Sequence, residues 1–210
     1  MIRILKSGDR RIEAFNARPA FPEAAERAAA ATLSDIRARG DRAVIDCVAR
    51  FEGFRAKSAA ALKIDLAQVS AAGIDRGILK AVREAHARVR RFSLASLRRD
   101  WSMTTSRGGR LGEFFSPMDR VGVYIPGGTA PLASTSVMTV TLAKAAGVKE
   151  IVACTPAGKT GEVNPVLLYA LKLAGATEIY RVGGIQAIGM MAFGTRSCPK
   201  VQKIAGPGNA

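Results

Sequence analysis

Val121-Gly122-Val123-Tyr124-Ile125-Pro126-Gly127-Gly128-Thr129 is the stretch from which the fold is read: an apolar, β-branched run, then a glycine-rich turn, then the start of an amphipathic segment. The same order recurs downstream. Apolar runs at residues 150–155, 178–182 and 203–205 are followed by the turns P-A-G-K, G-G-I-Q and G-P-G-N. Strands alternating with helices favour an α/β architecture around a parallel sheet, in which every strand-to-helix turn falls on one edge. Four glycine-rich turns would then line one crevice, and a ligand is sought there.

Within this region A-K-A-A-G-V-K-E-I (residues 143–151) and L-K-L-A-G-A-T-E-I (residues 171–179) form a weak repeat 28 residues apart. Each copy reads as a helix end closed by a glycine, Gly147 or Gly175, followed by the first residues of a strand. The spacing suits successive βα units with right-handed crossovers.

Upstream the periodicity is helical. Pro22 to Arg39 reads as a helix with acidic Glu23 and Glu26 near its start and Gly40 as its stop. Asp41 can cap a second helix whose apolar face is Val44, Ile45, Val48 and Phe51, ended by Gly53. In a third, Ile78, Val82, Ala85, Val89 and Phe92 form one stripe, expected to be buried with the arginines turned away. R-G-G-R at 107–110 is a turn, Leu111 to Ser116 a short strand, and the domain boundary is placed near Pro117 to Arg120.

The 210 residues carry a formal charge of +15. Residues 1–110 hold 23 Lys and Arg against 12 Asp and Glu, whereas residues 111–210 hold 9 against 5. The excess thus lies on the helical part, where aromatic residues for base stacking are few, so a solvated or partner-facing arginine surface is favoured over a nucleic-acid groove. No apolar run approaches the roughly 20 residues that span a bilayer, and the start lacks the apolar core of a secretory signal. Cys47, Cys154 and Cys198 are too widely spaced for a thiolate zinc site or a disulfide framework. A cytoplasmic location is expected.

Groups for catalysis are scarce. His86 is the only histidine, among charged neighbours on the third helix, and reads as a solvated or packing residue. Gly158-Lys159-Thr160 has the end of a phosphate-binding P-loop, but Ala153 stands where the first glycine belongs and Pro165 falls early in the following helix. The G-x-G-x-x-G dinucleotide pattern is absent. What remains is the turns. Tyr124 sits at a strand end, Thr129, Ser134 and Thr135 are available to cap the next helix, Gln186 places a carboxamide at a helix start where free N–H groups favour anionic or polar ligand groups, and Asn209 stands equivalently in the fourth turn. An aromatic ring with two carboxamides suits a nicotinamide or adenine nucleotide. Spacing alone leaves this level with ordinary tight turns in which Gln186 merely caps a helix.

V-G-V-Y-I-P-G-G-T-A-P-L, E-I-V-A-C-T-P, E-I-Y-R-V-G-G-I-Q-A-I-G-M-M-A-F-G-T and V-Q-K-I-A-G-P-G-N-A, in this order, closely resemble the histidinol dehydrogenase family, strongly over residues 111–210 and more loosely over the helical region. The resemblance implies that Tyr124, Gln186 and Asn209 contact NAD. It further implies a Rossmann-like NAD-binding domain at 119–210, cut short at its C-terminal end. Residues 1–118 would then be a mainly helical part of an incomplete, discontinuous second domain. Zinc ligands, the Glu-His pair that moves protons and the substrate-holding residues lie in later sequence in this family, so no catalytic or metal residue is assigned here.

The implied reaction is zinc-dependent, NAD-linked oxidation of L-histidinol to L-histidine through the aldehyde, by a protein that is a homodimer at full length and binds neither membrane nor nucleic acid. This chain by itself is expected to be inactive. A relative oxidising another small polar alcohol, and a basic nucleic-acid-binding protein, are the alternatives. A more acidic second half would also account for the arginine excess.

Overall fold

The computed structural model describes residues 5–16, 22–127 and 132–208. Helices α1 (Arg10–Asn16), α2 (Glu23–Arg39) and α3 (Asp41–Phe51) come first, followed by the two-residue strand β1 (Lys63–Ile64) and helix α4 (Arg76–Ala95). A hairpin of β2 (Trp101–Thr104) and β3 (Arg110–Glu113) follows. Thereafter strands and helices alternate: β4 (Arg120–Tyr124), α5 (Ala133–Ala145), β5 (Glu150–Thr155), α6 (Pro165–Ala174), β6 (Glu178–Arg181), α7 (Gly184–Phe193) and β7 (Lys203–Ala205).

Local chemistry explains several ends. Asn164 accepts from the Val166 and Leu167 N–H groups at the start of α6, Pro165 takes the first turn, and Gly175 closes the helix in the left-handed conformation. Asp75 caps α4 through the Ile78 N–H. The expected cap at Asp41 is not made, because Asp41 is the first residue of α3 and its carboxylate reaches across the fold to the Ser197 N–H and hydroxyl at 3.1 and 2.6 Å.

The sheet order is β1-β6-β5-β4-β7, with β4, β5, β6 and β7 parallel and β1 antiparallel on the β6 edge. Both faces are covered, and the two-residue period of a strand sorts the side chains. Along β5, Ile151 and Ala153 join the core beneath α5 and α6, while Val152 and Cys154 join the core with α2, α3 and α7. Helix α4 packs on α5 and α6, so the N-terminal helices clothe both faces, and β1 extends the sheet.

Two expectations about the helical region need correction. Phe51 is largely exposed, and the buried positions of α3 are Ala43, Val44, Cys47 and Val48. On α4 the stripe is only partly covered: Val82 is buried and Val89 half-buried, whereas Ile78, Ala85 and Phe92 are exposed. The helix meets α5 and α6 along Val82, Val89 and Ser93, a line rotated from the most apolar one. Periodicity locates an apolar face but not which part of it a neighbour reaches. The strand expected at Leu111 to Ser116 is β3, paired with β2, and every residue of the two strands is exposed.

At the sheet's N-terminal edge, Arg120 from β4 lies almost wholly buried. Its Nη1 donates to Glu150 of β5 and to Glu178 of β6, and its Nε donates to the Pro199 carbonyl ahead of β7. Lys63 of β1 adds a bond to Glu178 at 2.8 Å, and the Tyr180 hydroxyl lies 2.7 Å from the same carboxylate. Burial alone would raise the Glu178 carboxyl, but bonds from Arg120, Lys63 and Tyr180 outweigh it and hold it down at about 2. One guanidinium thus ties the starts of three strands and the segment leading into the fourth.

Candidate functional site

Because β4 to β7 are parallel, their C-terminal ends and the described parts of the glycine-rich turns share one edge, opposite Arg120. The sheet grows from β4 through β5 to β6 and then returns to place β7 on the other side of β4. The order therefore reverses between β4 and β7, and in open α/β sheets the crevice outside that reversal is where ligands bind.

Tyr124 ends β4 at this crevice. The Gly184 N–H at the start of α7 donates to its hydroxyl at 3.1 Å, which ties the first turn to the third across the edge. The middle turn is pressed between them. Pro156 after β5 fits against Gly127 on one side and Gly183 on the other, and a Cβ on either glycine would come 2.5 Å from the proline ring. Gly206 after β7 has φ of 158° and lies over the Tyr124 carbonyl, so a side chain there would meet both steric and backbone penalties. Gly127, Gly183 and Gly206 are thus close-packed against neighbouring turns.

Gln186, in the first turn of α7, is 2% exposed. Its Nε2 donates to Glu52 Oε1 at 3.0 Å, and that oxygen also accepts the Gly183 N–H at 2.9 Å. Glu52 Oε2 accepts the Ala157 N–H at 3.2 Å. A single carboxylate from the end of α3 therefore holds the second and third turns together. Two of the N–H groups expected to be free at the N-terminus of α7 are engaged, Gly183 by Glu52 and Gly184 by Tyr124, and a carboxylate already stands there.

Glu52 was not among the residues singled out in the sequence. The available signal was its position: it is the C-cap residue of α3, where the helix dipole disfavours an anion, immediately before Gly53. A carboxylate at an unfavourable helix end has a partner elsewhere. The next residues dock the same loop, with Phe54 over Gly161, Arg181 stacked on the Phe54 ring and donating to the Gly161 carbonyl at 2.6 Å, and the Lys159 stem against Gly53. Gly158-Lys159-Thr160 is therefore a packed turn. Helix α6 starts only at Pro165, which removes the P-loop geometry.

Burial raises the Tyr124 phenol above its ordinary value, and the nearby Glu52 charge adds to the rise, so the hydroxyl keeps its proton and can donate it. Tyr124 and Gln186 are brought together. Asn209, like Thr129, lies outside the described residues. Ser134 and Thr135 fall within the first turn of α5 and do not cap it; Leu132 occupies the cap position without a side-chain bond. His86 is half-buried on α4, lowered by burial and by Arg90, on an element that does not reach this edge. The three cysteines are buried and free, and among the described residues no group of His, Cys, Asp and Glu stands together to hold a metal ion.

Comparison with known proteins shows the family and the fold. The sequence pattern of histidinol dehydrogenase matches residues 17–210. The chain belongs to the histidinol dehydrogenase family. It is 44% identical over 177 residues to the histidinol dehydrogenase of Parasynechococcus marenigrum, covering 84% of this chain and 40% of that protein. With the histidinol dehydrogenase of Carboxydothermus hydrogenoformans the match runs over 210 residues at 37% identity, or 99% and 49% of the two chains. The crystal structure of histidinol dehydrogenase from Elizabethkingia anophelis superimposes with a TM-score of 0.85 at 31% identity, over 96% of this chain and 46% of the other. The chain thus spans less than half the length of these histidinol dehydrogenases, and the sheet with its helices lies within that shared part. Among the described residues no helix is long and apolar enough to cross a membrane.

Proposed function

We propose that this chain supplies the NAD-binding edge of a histidinol dehydrogenase, whose whole reaction is the zinc-dependent oxidation of L-histidinol to L-histidine through the aldehyde. The observation that carries the reading is the bond between the first turn of α7, two residues before Gln186, and Tyr124, which ends the strand bordering the strand-order reversal. NAD fits this edge: an aromatic ring, a carboxamide and a hydroxyl donor stand beside turns that bring the backbone close to a ligand. When bound, NAD accepts a hydride from the alcohol. In this chain Tyr124 would bound the coenzyme on the β4 side and Gln186 would bond its polar groups from the α7 side, with Asn209 proposed as the third contact from the β7 turn.

The described residues do not fit zinc, since no group of His, Cys, Asp and Glu stands together among them and Glu52 and Asp41 are engaged in structural bonds. No step of the reaction is therefore assigned to a metal in this chain. Residues beyond this chain would supply the proton-handling groups and the substrate contacts, and the assembled protein would be a cytoplasmic homodimer. The domain division near residue 118 belongs to the same proposal.

Calorimetric titration of the chain with NAD tests the reading. Binding in the micromolar to millimolar range is expected, weakened about fivefold or more by Gln186→Ala through the lost hydrogen bonds. Absence of binding, or binding indifferent to Gln186→Ala and Tyr124→Ala, would overturn it. Histidinol turnover by this chain alone would refute the assignment of the catalytic groups to sequence outside it.

A further inference from the structure

The carboxylate at the start of α7 has a consequence for what the site accepts. Glu52 is an acceptor only, so the Gln186 amide must turn its NH2 toward it, and the Gln186 Oε1 is left as an acceptor beside Gly184. Among the described residues no donor reaches that oxygen. Tyr124 has the complementary polarity. Its oxygen accepts from the Gly184 N–H, and among the described residues nothing accepts its own proton. The edge is thus wired as an acceptor at Gln186 and a donor at Tyr124. A phosphate at the N-terminus of α7 would face the Glu52 charge and find the Gly183 and Gly184 N–H groups already engaged.

We infer that Glu52 is a positioning residue for the coenzyme: it locks the Gln186 amide in one orientation, clamps the two turns, and thereby selects for this subsite a neutral or cationic ligand group that donates a hydrogen bond, such as a hydroxyl or a carboxamide, and excludes phosphate. The inference rests on the NAD reading given above for its ligand half, and on contacts within the chain for the rest. Geometry favours it over a purely structural role. A carboxylate needed only to tether α3 would satisfy one backbone N–H, whereas this one divides its oxygens between Ala157 of one turn and both Gly183 and Gln186 of the next.

The experiment uses the 210-residue chain with Glu52→Gln, Gln186→Ala and the double variant, each checked for an unchanged circular dichroism spectrum. Glutamine keeps the shape but offers one acceptor oxygen for bonds that need two, so a turn is released or the Gln186 amide flips. Without ligand, the Gln186 side-chain amide protons exchange slowly in the wild type and fast in Glu52→Gln by NMR. With NAD as the probe, Glu52→Gln is expected to raise Kd about tenfold, the scale of one charge-assisted hydrogen bond. On the Gln186→Ala background the same change should cost about threefold or less, because its effect passes through the missing amide. Pyrophosphate should compete with NAD no better in wild type than in Glu52→Gln.

Equal losses from Glu52→Gln on both backgrounds, or an NAD affinity within twofold of wild type, would overturn the positioning role while leaving the NAD reading intact. Unchanged exchange of the Gln186 amide would overturn it without reference to any ligand. If wild type fails to bind NAD, the NAD reading falls and takes the ligand selection with it. The exchange result then still decides whether Glu52 holds the turns.

Discussion

Replacing Arg120 with methionine should cost stability by an amount that the N-terminal edge of the sheet sets and that acid removes. Held at about 2 instead of its ordinary 4.5, the Glu178 carboxyl contributes about 3 kcal/mol near neutral pH. Arg120, Lys63 and Tyr180 share that contribution, so roughly half leaves with the guanidinium. The Pro199 carbonyl also loses its donor, at about 1–2 kcal/mol, while methionine keeps most of the aliphatic packing. Glu150, whose side chain is 57% exposed, adds little. The sum is about 3 kcal/mol, at the lower end for breaking a buried pair. In a chain of this size that lowers Tm by roughly 6–12 °C. The sign with pH follows from a depressed carboxyl: its stabilisation is complete above about 4.5 and is lost as pH falls toward about 2. The gap between wild type and Arg120→Met, measured by urea unfolding followed by circular dichroism, should therefore hold steady from pH 8 to 6 and narrow on acidification through that window. A gap below about 1 kcal/mol at pH 7, or one that stays constant down to pH 2.5, would refute the argument.

Three further outcomes follow from other parts of the fold. Gly183→Ala places a Cβ 2.5 Å from Pro156, so one turn must shift; a stability loss of about 1–3 kcal/mol and a clear weakening of NAD binding are expected, and a neutral result would mean that the turns are not packed as described. Cys47, Cys154 and Cys198 are buried and burial raises each thiol, so none should react with a disulfide reagent at pH 7.5 in the native state and all should react in denaturant; a fast-reacting native thiol would contradict the packing. On the hairpin, Trp101 and Phe114 are 49% and 74% exposed, so Phe114→Ser should change stability by less than about 0.5 kcal/mol while reducing binding of a hydrophobic dye; a larger loss would show that the ring is covered.

The sequence by itself determined the parallel sheet, the order of its strands and helices, and the glycine end of α6, because these depend on short-range properties: a change of period from two to near four, and glycine in turns. It also pointed to Tyr124 and Gln186, which lie at the strand end and helix start where their motifs put them. Tertiary structure alone decided what those residues face. Glu52 lies 134 residues from Gln186 along the chain, and only the docking of α3 on α7 brings the carboxylate to the turn. Likewise the exposure of Phe51 and Phe92 and the route of the Asp41 side chain to Ser197 were set by which neighbour packs on each face. Local preference is written in consecutive residues, whereas a hydrogen bond between distant elements depends on the packing of everything between them.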